Sequence, residues 1–403
     1  MNFDNSTKTL KILIPLILGA LQFIHIVDFM LIMPLGDQLM KSFNISPSYF
    51  STIVGSYGYA AAISSFFSAF IIDRFDRKSS LIFITLGFIS GTFFCGIAEG
   101  ASQLLIARII TGTFGGMINA IIFTIVGDLF SIERRSTVMG YIAAAFSIAS
   151  AFGVPISLYF ADLYTWNTPF LILACSSIPV LLLIIKVIPK INSHIGLDIK
   201  KKSPYDIIND LLKKKNQQYA LLFIFILVFG QFITIPFFTP YLVRNVGLEQ
   251  ESIKYIYLFG GIATMITGPI IGKYSSKVGR QKAFVRIAIL SLIPIYIITH
   301  LDKTNLLFVL IPSTFFFIFL SGRMIPAQAL MTSVVHPNNR GSFMGLSSSM
   351  MQLGIGLSTL FAGLIVTEDG TNLSNFNYVG YISVILGVVV ILLSRILTTD
   401  EKD

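Results

Sequence analysis

Residues 69–78 read Ala69-Phe70-Ile71-Ile72-Asp73-Arg74-Phe75-Asp76-Arg77-Lys78, and residues 272–282 read Gly272-Lys273-Tyr274-Ser275-Ser276-Lys277-Val278-Gly279-Arg280-Gln281-Lys282. Each is a short basic turn directly after a long apolar run, and Arg77 and Arg280 stand 203 positions apart. A second couple follows: Glu133-Arg134-Arg135-Ser136-Thr137-Val138-Met139-Gly140 and Asn338-Asn339-Arg340-Gly341-Ser342-Phe343-Met344-Gly345, at an offset of 205. Two couples at nearly one spacing mark an internal duplication.

The runs around these turns are long enough to cross a membrane, which takes about 20 apolar residues for a hydrocarbon core of roughly 30 Å. Twelve are present, at 11–35, 48–72, 80–98, 103–126, 137–161, 168–188, 218–243, 252–274, 283–300, 305–331, 342–366 and 377–397. The chain is 54% hydrophobic and 12% charged. A soluble domain carries about 25% charged residues, and half that density cannot coat a globule of this size. Lys8 and Lys11 ahead of the first run imitate a signal peptide. That run is too long for a signal core and lacks a small-residue cleavage site, so it reads as a retained span.

The basic residues test the span count. With the N-terminus inside, only Lys41, Arg244, Lys254 and Lys303 fall outside, while Arg108 and Arg323 lie within spans. The other 23 of the 29 Lys and Arg residues fall inside. That asymmetry is the positive-inside pattern, and it turns the net charge of +9 into a topology signal rather than a nucleic-acid one. The fold class expected is an all-α polytopic membrane protein, with twelve transmembrane helices in two pseudo-symmetric six-helix bundles. The bundles are 1–188 and 218–403, and a cytoplasmic linker at 189–217, rich in lysine, includes a surface helix at 204–215.

Other classes are excluded by what the chain lacks. Cys95 and Cys175 sit in apolar runs, so a disulfide scaffold is not expected. Four scattered histidines make no metal motif, no cofactor is implied, and no phosphate-binding loop of a primary pump is present. No nucleophile or acid–base constellation points to an enzyme.

The residues at the turns carry a family resemblance. The chain resembles the major facilitator superfamily, and within it the drug/proton antiporter-like or sugar-efflux-like branch. The signature between spans 2 and 3, G-x-L-a-D-r-x-G-r-k, is matched by Asp73, Arg74, Arg77 and Lys78, with Ala69 and Asp76 in place of the glycines. Its second copy keeps Gly272 and Gly279 but has Ser276 where the acid belongs. In span 4, Leu104, Arg108 and Gly112 match l-x-x-x-R-x-x-q-G, with Thr111 for the glutamine. The antiporter signature of span 5 is degenerate: Gly140, Gly153 and Pro155 are present, but Val154 separates the last two. The resemblance implies transport by alternating access around a central cavity that spans 1 and 4 help to line.

The candidate site residues are the polar groups inside spans. A lone charge at a span centre costs at least about 2.5–3.5 kcal/mol and is a functional candidate by default. Asp28, Arg108 and Arg323 qualify. Asp28 and Arg108 lie at similar depth, roughly 7–10 Å from their span midpoints at 1.5 Å per residue, so a pair, direct or through water, is expected. Gln22, His25 and Asp28 share one stripe of span 1, and Arg108 and Asn119 share a face of span 4. Asp28, Arg108 and His25 are assigned to proton coupling. Gln22, Asn119, Gln231, Arg323, Gln352, Tyr57 and Tyr241 are assigned to the substrate cavity. Asp73, Arg74, Arg77, Lys78, Asp128 and Arg280 form a conformational latch at the inner helix ends, where Asp73 opposes the topology rule and so needs a partner. Gly112, Gly140, Gly153 and Pro155 are assigned to helix packing.

The function expected is a monomeric secondary transporter of the cytoplasmic membrane, both termini cytoplasmic. It moves a small-molecule substrate through the lipid bilayer by proton-coupled efflux. Sugar or metabolite efflux, or symport uptake, on the same fold is the alternative. A sensor or scaffold that transports nothing is a further one.

Overall fold

The computed structural model describes residues 8–192, 214–335 and 340–398. Most of the expected 189–217 linker, with the surface helix at 204–215, lies outside the described residues. The first half contains α1 (Lys8–Leu31), α2 (Gly36–Phe43), α3 (Pro47–Ile71), α4 (Arg77–Gly96), α5 (Ala101–Leu129), α6 (Ile132–Ile148), α7 (Val154–Leu163) and α8 (Thr168–Val187). The second contains α9 (Lys215–Phe232), α10 (Ile235–Arg244), α11 (Ile253–Val278), α12 (Arg280–Thr299), α13 (Leu306–Ser333), α14 (Arg340–Ile365) and α15 (Phe376–Ile396). A hairpin of β1 (Thr367–Asp369) and β2 (Asn372–Ser374) joins α14 to α15.

Among the described residues, eleven segments are long and apolar enough to cross a membrane. The twelfth span is α3, whose hydropathy is lowered by Ser51, Tyr57, Ser64, Ser65 and Ser68. These side chains are all buried in protein rather than turned to lipid. Ser65 Oγ, for instance, donates to the Gly116 carbonyl of α5 at 2.8 Å. Helix starts follow local chemistry. Ser46 caps α3, accepting from Tyr49 N with Pro47 in the first turn, and Asp76 caps α4.

The expected spans correspond to these elements within a few residues, but three are not single helices. The first span turns at 32–35, around Pro34, before continuing as α2. The seventh is broken at Ile233 and Thr234, just before Pro236. The repeat therefore extends to the interruption that opens each half. A proline that cannot donate to the preceding turn supplies the cause in both. The fifth span contains a π-turn, Ala149–Gly153, between α6 and α7.

The halves meet on the face opposite the basic turns. There α14 packs on α3, α11 packs on the π-turn and α7, and α2 packs on α10. Gly58 permits the α3–α14 approach: a Cβ on it would lie 2.7 Å from the Gly356 nitrogen. Phe29 meets Phe232 at a ring separation of 6.0 Å, and Phe50 meets Phe237 at 6.1 Å. Arg244 of α10 donates to Asp37 of α2 and, at 2.7 Å, to Glu368 of the hairpin.

Candidate functional site: a buried ion pair

Asp28 lies in the last turn of α1 and Arg108 two turns into α5, and neither side chain is exposed. Arg108 Nη1 donates to Asp28 Oδ2 at 2.9 Å, so the pair expected from depth is direct. The same nitrogen reaches the Asp28 carbonyl at 3.4 Å. Thr92 Oγ1 of α4 donates to the other carboxylate oxygen at 3.1 Å. Such a shell is what a buried pair needs, because its desolvation penalty is repaid only with good geometry and further hydrogen bonds.

Tyr57 of α3 completes the cluster. Its ring lies under the Arg108 guanidinium, 4.5 Å from Cζ to centroid, and its hydroxyl shares a 2.9 Å hydrogen bond with His25 Nε2. His25 is thereby tied to Arg108 through an aromatic ring rather than to Asp28 directly. Gly112 makes this possible, since a Cβ there would stand 2.5 Å from the Tyr57 carbonyl and push α3 off α5. Thr92, Thr111 and Cys95 belong to the same buried shell. Sequence reading missed the first and third because hydroxyls and thiols in apolar runs carry no signal of direction.

The π-turn touches this cluster. A Cβ on Gly153 would run into Val27, the neighbour of Asp28, and Pro155 is buried two residues later. Gly140 is different: nothing lies within 4 Å of where its Cβ would point, so its assignment to helix packing is corrected. It sits towards the basic face, away from the region where α6 and α7 close on their neighbours.

The remaining candidates are scattered. Gln22 is buried on α1 with Oε1 unpartnered, and Gln231 near the end of α9 likewise encloses an unpartnered Oε1. Asn119 and Gln352 are half-buried on α5 and α14. Two cavity assignments are corrected. Tyr241 stands in α10, beyond the break of the seventh span; its hydroxyl donates to the Leu301 carbonyl at 2.9 Å and its ring packs on Phe376. Arg323 is 2% exposed and neither reaches an interface nor faces the first half. Nη1 donates to Ser291 Oγ of α12 at 3.1 Å, and Leu227, Gly230, Ser383 and Gly387 of α9 and α15 surround it. The register of α13 turns position 323 into its own bundle, which depth along the helix does not reveal.

At the basic face, Arg77 is buried and donates from Nε to Asp128 Oδ2 at 3.0 Å and from Nη1 to the Ile72 carbonyl at 2.8 Å. It joins the start of α4 to the end of α5. Arg74 is exposed, Lys78 is half-buried, and Arg280 opens α12 half-buried. The side chains of Asp73 and Glu133 lie outside the described residues. Asp76, which sequence reading took only as a missing glycine, accepts from Ser79 N and from Ile191 N at 2.7 Å. Partial burial works against its ionised form, but these hydrogen bonds and Lys190 outweigh it and hold the carboxyl below the usual carboxylate range.

A duplicated set of membrane-spanning helices, with a charged pair buried inside its first half, is the architecture of a polytopic membrane protein. The family model described as Major Facilitator Superfamily matches residues 18–223 and again 220–403. The chain belongs to the major facilitator superfamily and is a secondary transporter of small molecules in the bilayer. It is 25% identical over 346 residues to the MFS-type transporter YceJ of Bacillus subtilis strain 168, covering 86% of this chain and 87% of the relative. It is 26% identical over 367 residues to Multidrug resistance protein 2 of the same organism, covering 87% of each. Among solved structures, a bacterial homologue of the lysosomal transporter Spinster, in an inward-facing conformation, shares the fold at TM-score 0.76 and 14% identity, covering 97% of this chain and 98% of that one. A D-xylose–proton symporter does so at TM-score 0.74 and 15% identity, covering 95% and 96%.

Proposed function

We propose that this chain exports a small molecule across the cytoplasmic membrane in exchange for protons, with Asp28 as the carboxyl that carries the proton. The observation that carries this reading is the Asp28–Arg108 pair, fully buried between two spans and bonded at 2.9 Å. Ionised, Asp28 holds α1 against α5 through Arg108. Protonated, it loses the Coulombic attraction, and Arg108 is released to other acceptors. Its Nε and Nη2 are buried without a partner in the present state.

Movement at Asp28 has a route to the other half. Val27 abuts Gly153 in the π-turn, and that turn packs on Gly261 of α11. π-Turns concentrate at functional positions. Two bodies, 1–188 and 218–403, would rock about this contact as a monomer, with the basic face and both termini in the cytoplasm. Asp73, Arg74, Arg77, Lys78, Asp128 and Arg280 serve as the latch on that face, and His25 orients Tyr57 over Arg108. Gln22, Asn119, Gln231 and Gln352 offer the substrate polar contacts. Efflux is favoured by the likeness to Multidrug resistance protein 2 over 87% of each chain. Val154, which splits Gly153 from Pro155, keeps sugar or metabolite transport as the second reading.

Everted vesicles with a pre-formed pH gradient separate the two. Adding a panel of amphiphilic compounds should dissipate the gradient only where this chain is expressed, and sugars should leave it unchanged. A gradient untouched by every compound, with transport of any of them intact, contradicts proton coupling.

A further inference from the structure

We propose that a notch between α12 and α15 on the basic face binds the headgroup of an anionic phospholipid. The notch has a volume of about 210 Å3 and is lined by Gln281, Lys282, Val285, Arg286 and Arg395. Three of these five are cations, none is an acid, and they come from two helices far apart in sequence. Lys282 and Arg286 lie one turn apart in the first turns of α12, and Arg395 is in the last turn of α15.

The cations are placed by structure. Gln281 Nε2 donates to the Ser394 carbonyl at 2.7 Å and ties the two helices together at the floor of the notch. Arg286 Nη1 donates to Tyr274 Oη of α11 at 2.6 Å, which fixes the guanidinium and leaves its other nitrogens for an anion. The start of α12 follows Gly279, whose φ of 89° turns the chain sharply out of α11. The positive end of the α12 dipole therefore adds to the three charges.

A topology signal alone accounts for basic residues but not for their convergence on one concavity. A second observation identifies the ligand as lipid rather than a soluble anion. Below the notch, towards the membrane centre, Ile289 and Ile293 of α12 are 50% and 56% exposed, and Leu392 of α15 is 55% exposed. These residues continue the same two helices into the hydrocarbon. A phosphate held at the notch would lay its acyl chains along them. Basic pockets between membrane helices recognise anionic headgroups in this way.

The test is native mass spectrometry of the full chain in detergent, titrated with dioleoylphosphatidylglycerol, dioleoylphosphatidylcholine or glycerol phosphate. One phosphatidylglycerol should bind in preference to phosphatidylcholine, and glycerol phosphate should not displace it at equal concentration. The combined change Lys282→Gln, Arg286→Gln and Arg395→Gln should abolish the preference, at about fivefold in affinity per cation removed. A control that neutralises Lys186, Lys190 and Lys273, on the same face but outside the notch, should keep it. If the triple variant does not fold, Arg395→Gln alone, an exposed position, should lose about fivefold. Equal binding of both lipids, equal loss in the control, or displacement by glycerol phosphate would each overturn the proposal.

Discussion

In the first half, Asp28 and Arg108 bury each other at 2.9 Å, with Thr92 on the carboxylate and Tyr57 under the guanidinium. In the second half, Arg323 is buried as deeply and donates to one hydroxyl, that of Ser291. The two halves share their span order, their basic turns and even the proline-linked break in their first span. They do not share this charge arrangement. Duplication copied the scaffold, since a helix bundle in lipid is constrained by backbone satisfaction and packing alone. A charge inside the bundle carries a penalty that must be answered locally, and among the described residues the first half alone answers it with an opposite charge.

This contrast is most exposed to removal of each arginine. Arg108→Gln strands a buried carboxylate and should destabilise the protein by about 3–5 kcal/mol. Arg323→Gln removes an uncompensated cation with one hydrogen bond and should cost no more than about 1.5 kcal/mol. Unfolding midpoints of the two variants in one detergent check this. Equal losses would mean that Arg323 has a partner as strong as Asp28.

A smaller effect is expected from the glycines. Gly112→Val drives a side chain into the Tyr57 backbone and should cost about 1–3 kcal/mol. Gly140→Ala meets open space and should stay within about 0.5 kcal/mol of wild type. The same midpoints measure both. A costly Gly140→Ala would restore that residue to the packing set.

These two pairs also show what was legible in the sequence. The spans were readable because each carries its own apolar run, and the Asp28–Arg108 pair because depth along two helices can be counted in residues. Depth does not give direction around a helix axis. Arg323 was therefore placed in the cavity, whereas α13 turns it towards α12. Tyr241 was misplaced for a related reason: the break at Ile233 and Thr234 reorients α10, and no apolar count reports a break. The role of Tyr57 depends on how closely α3 and α5 approach at Gly112, a property of two helices rather than one.

A further small effect lies at the basic turn, where the halves differ again: Asp76 stands in the first copy and Gly279 in the second. Asp76→Ala removes the cap of α4 and the bond to Ile191, and should cost about 1 kcal/mol. Because the folded carboxyl is held below its ordinary range, this stability is present above the unfolded carboxylate range and is lost as pH falls below it. Wild type and Asp76→Ala should therefore converge in stability in strong acid. A gap that persists unchanged there would show that the charge of Asp76 contributes nothing.

The central claim is that the Asp28–Arg108 pair is the proton switch, and Asp28→Asn addresses it with size and hydrogen bonding nearly preserved. In reconstituted vesicles, uphill accumulation driven by a pH gradient should vanish, while downhill exchange of the same substrate, which moves no net proton, should survive. If the pair were only structural, adding Arg108→Gln to Asp28→Asn would restore coupled transport, because the stranded charge would be gone. Intact uphill transport in Asp28→Asn would contradict the account.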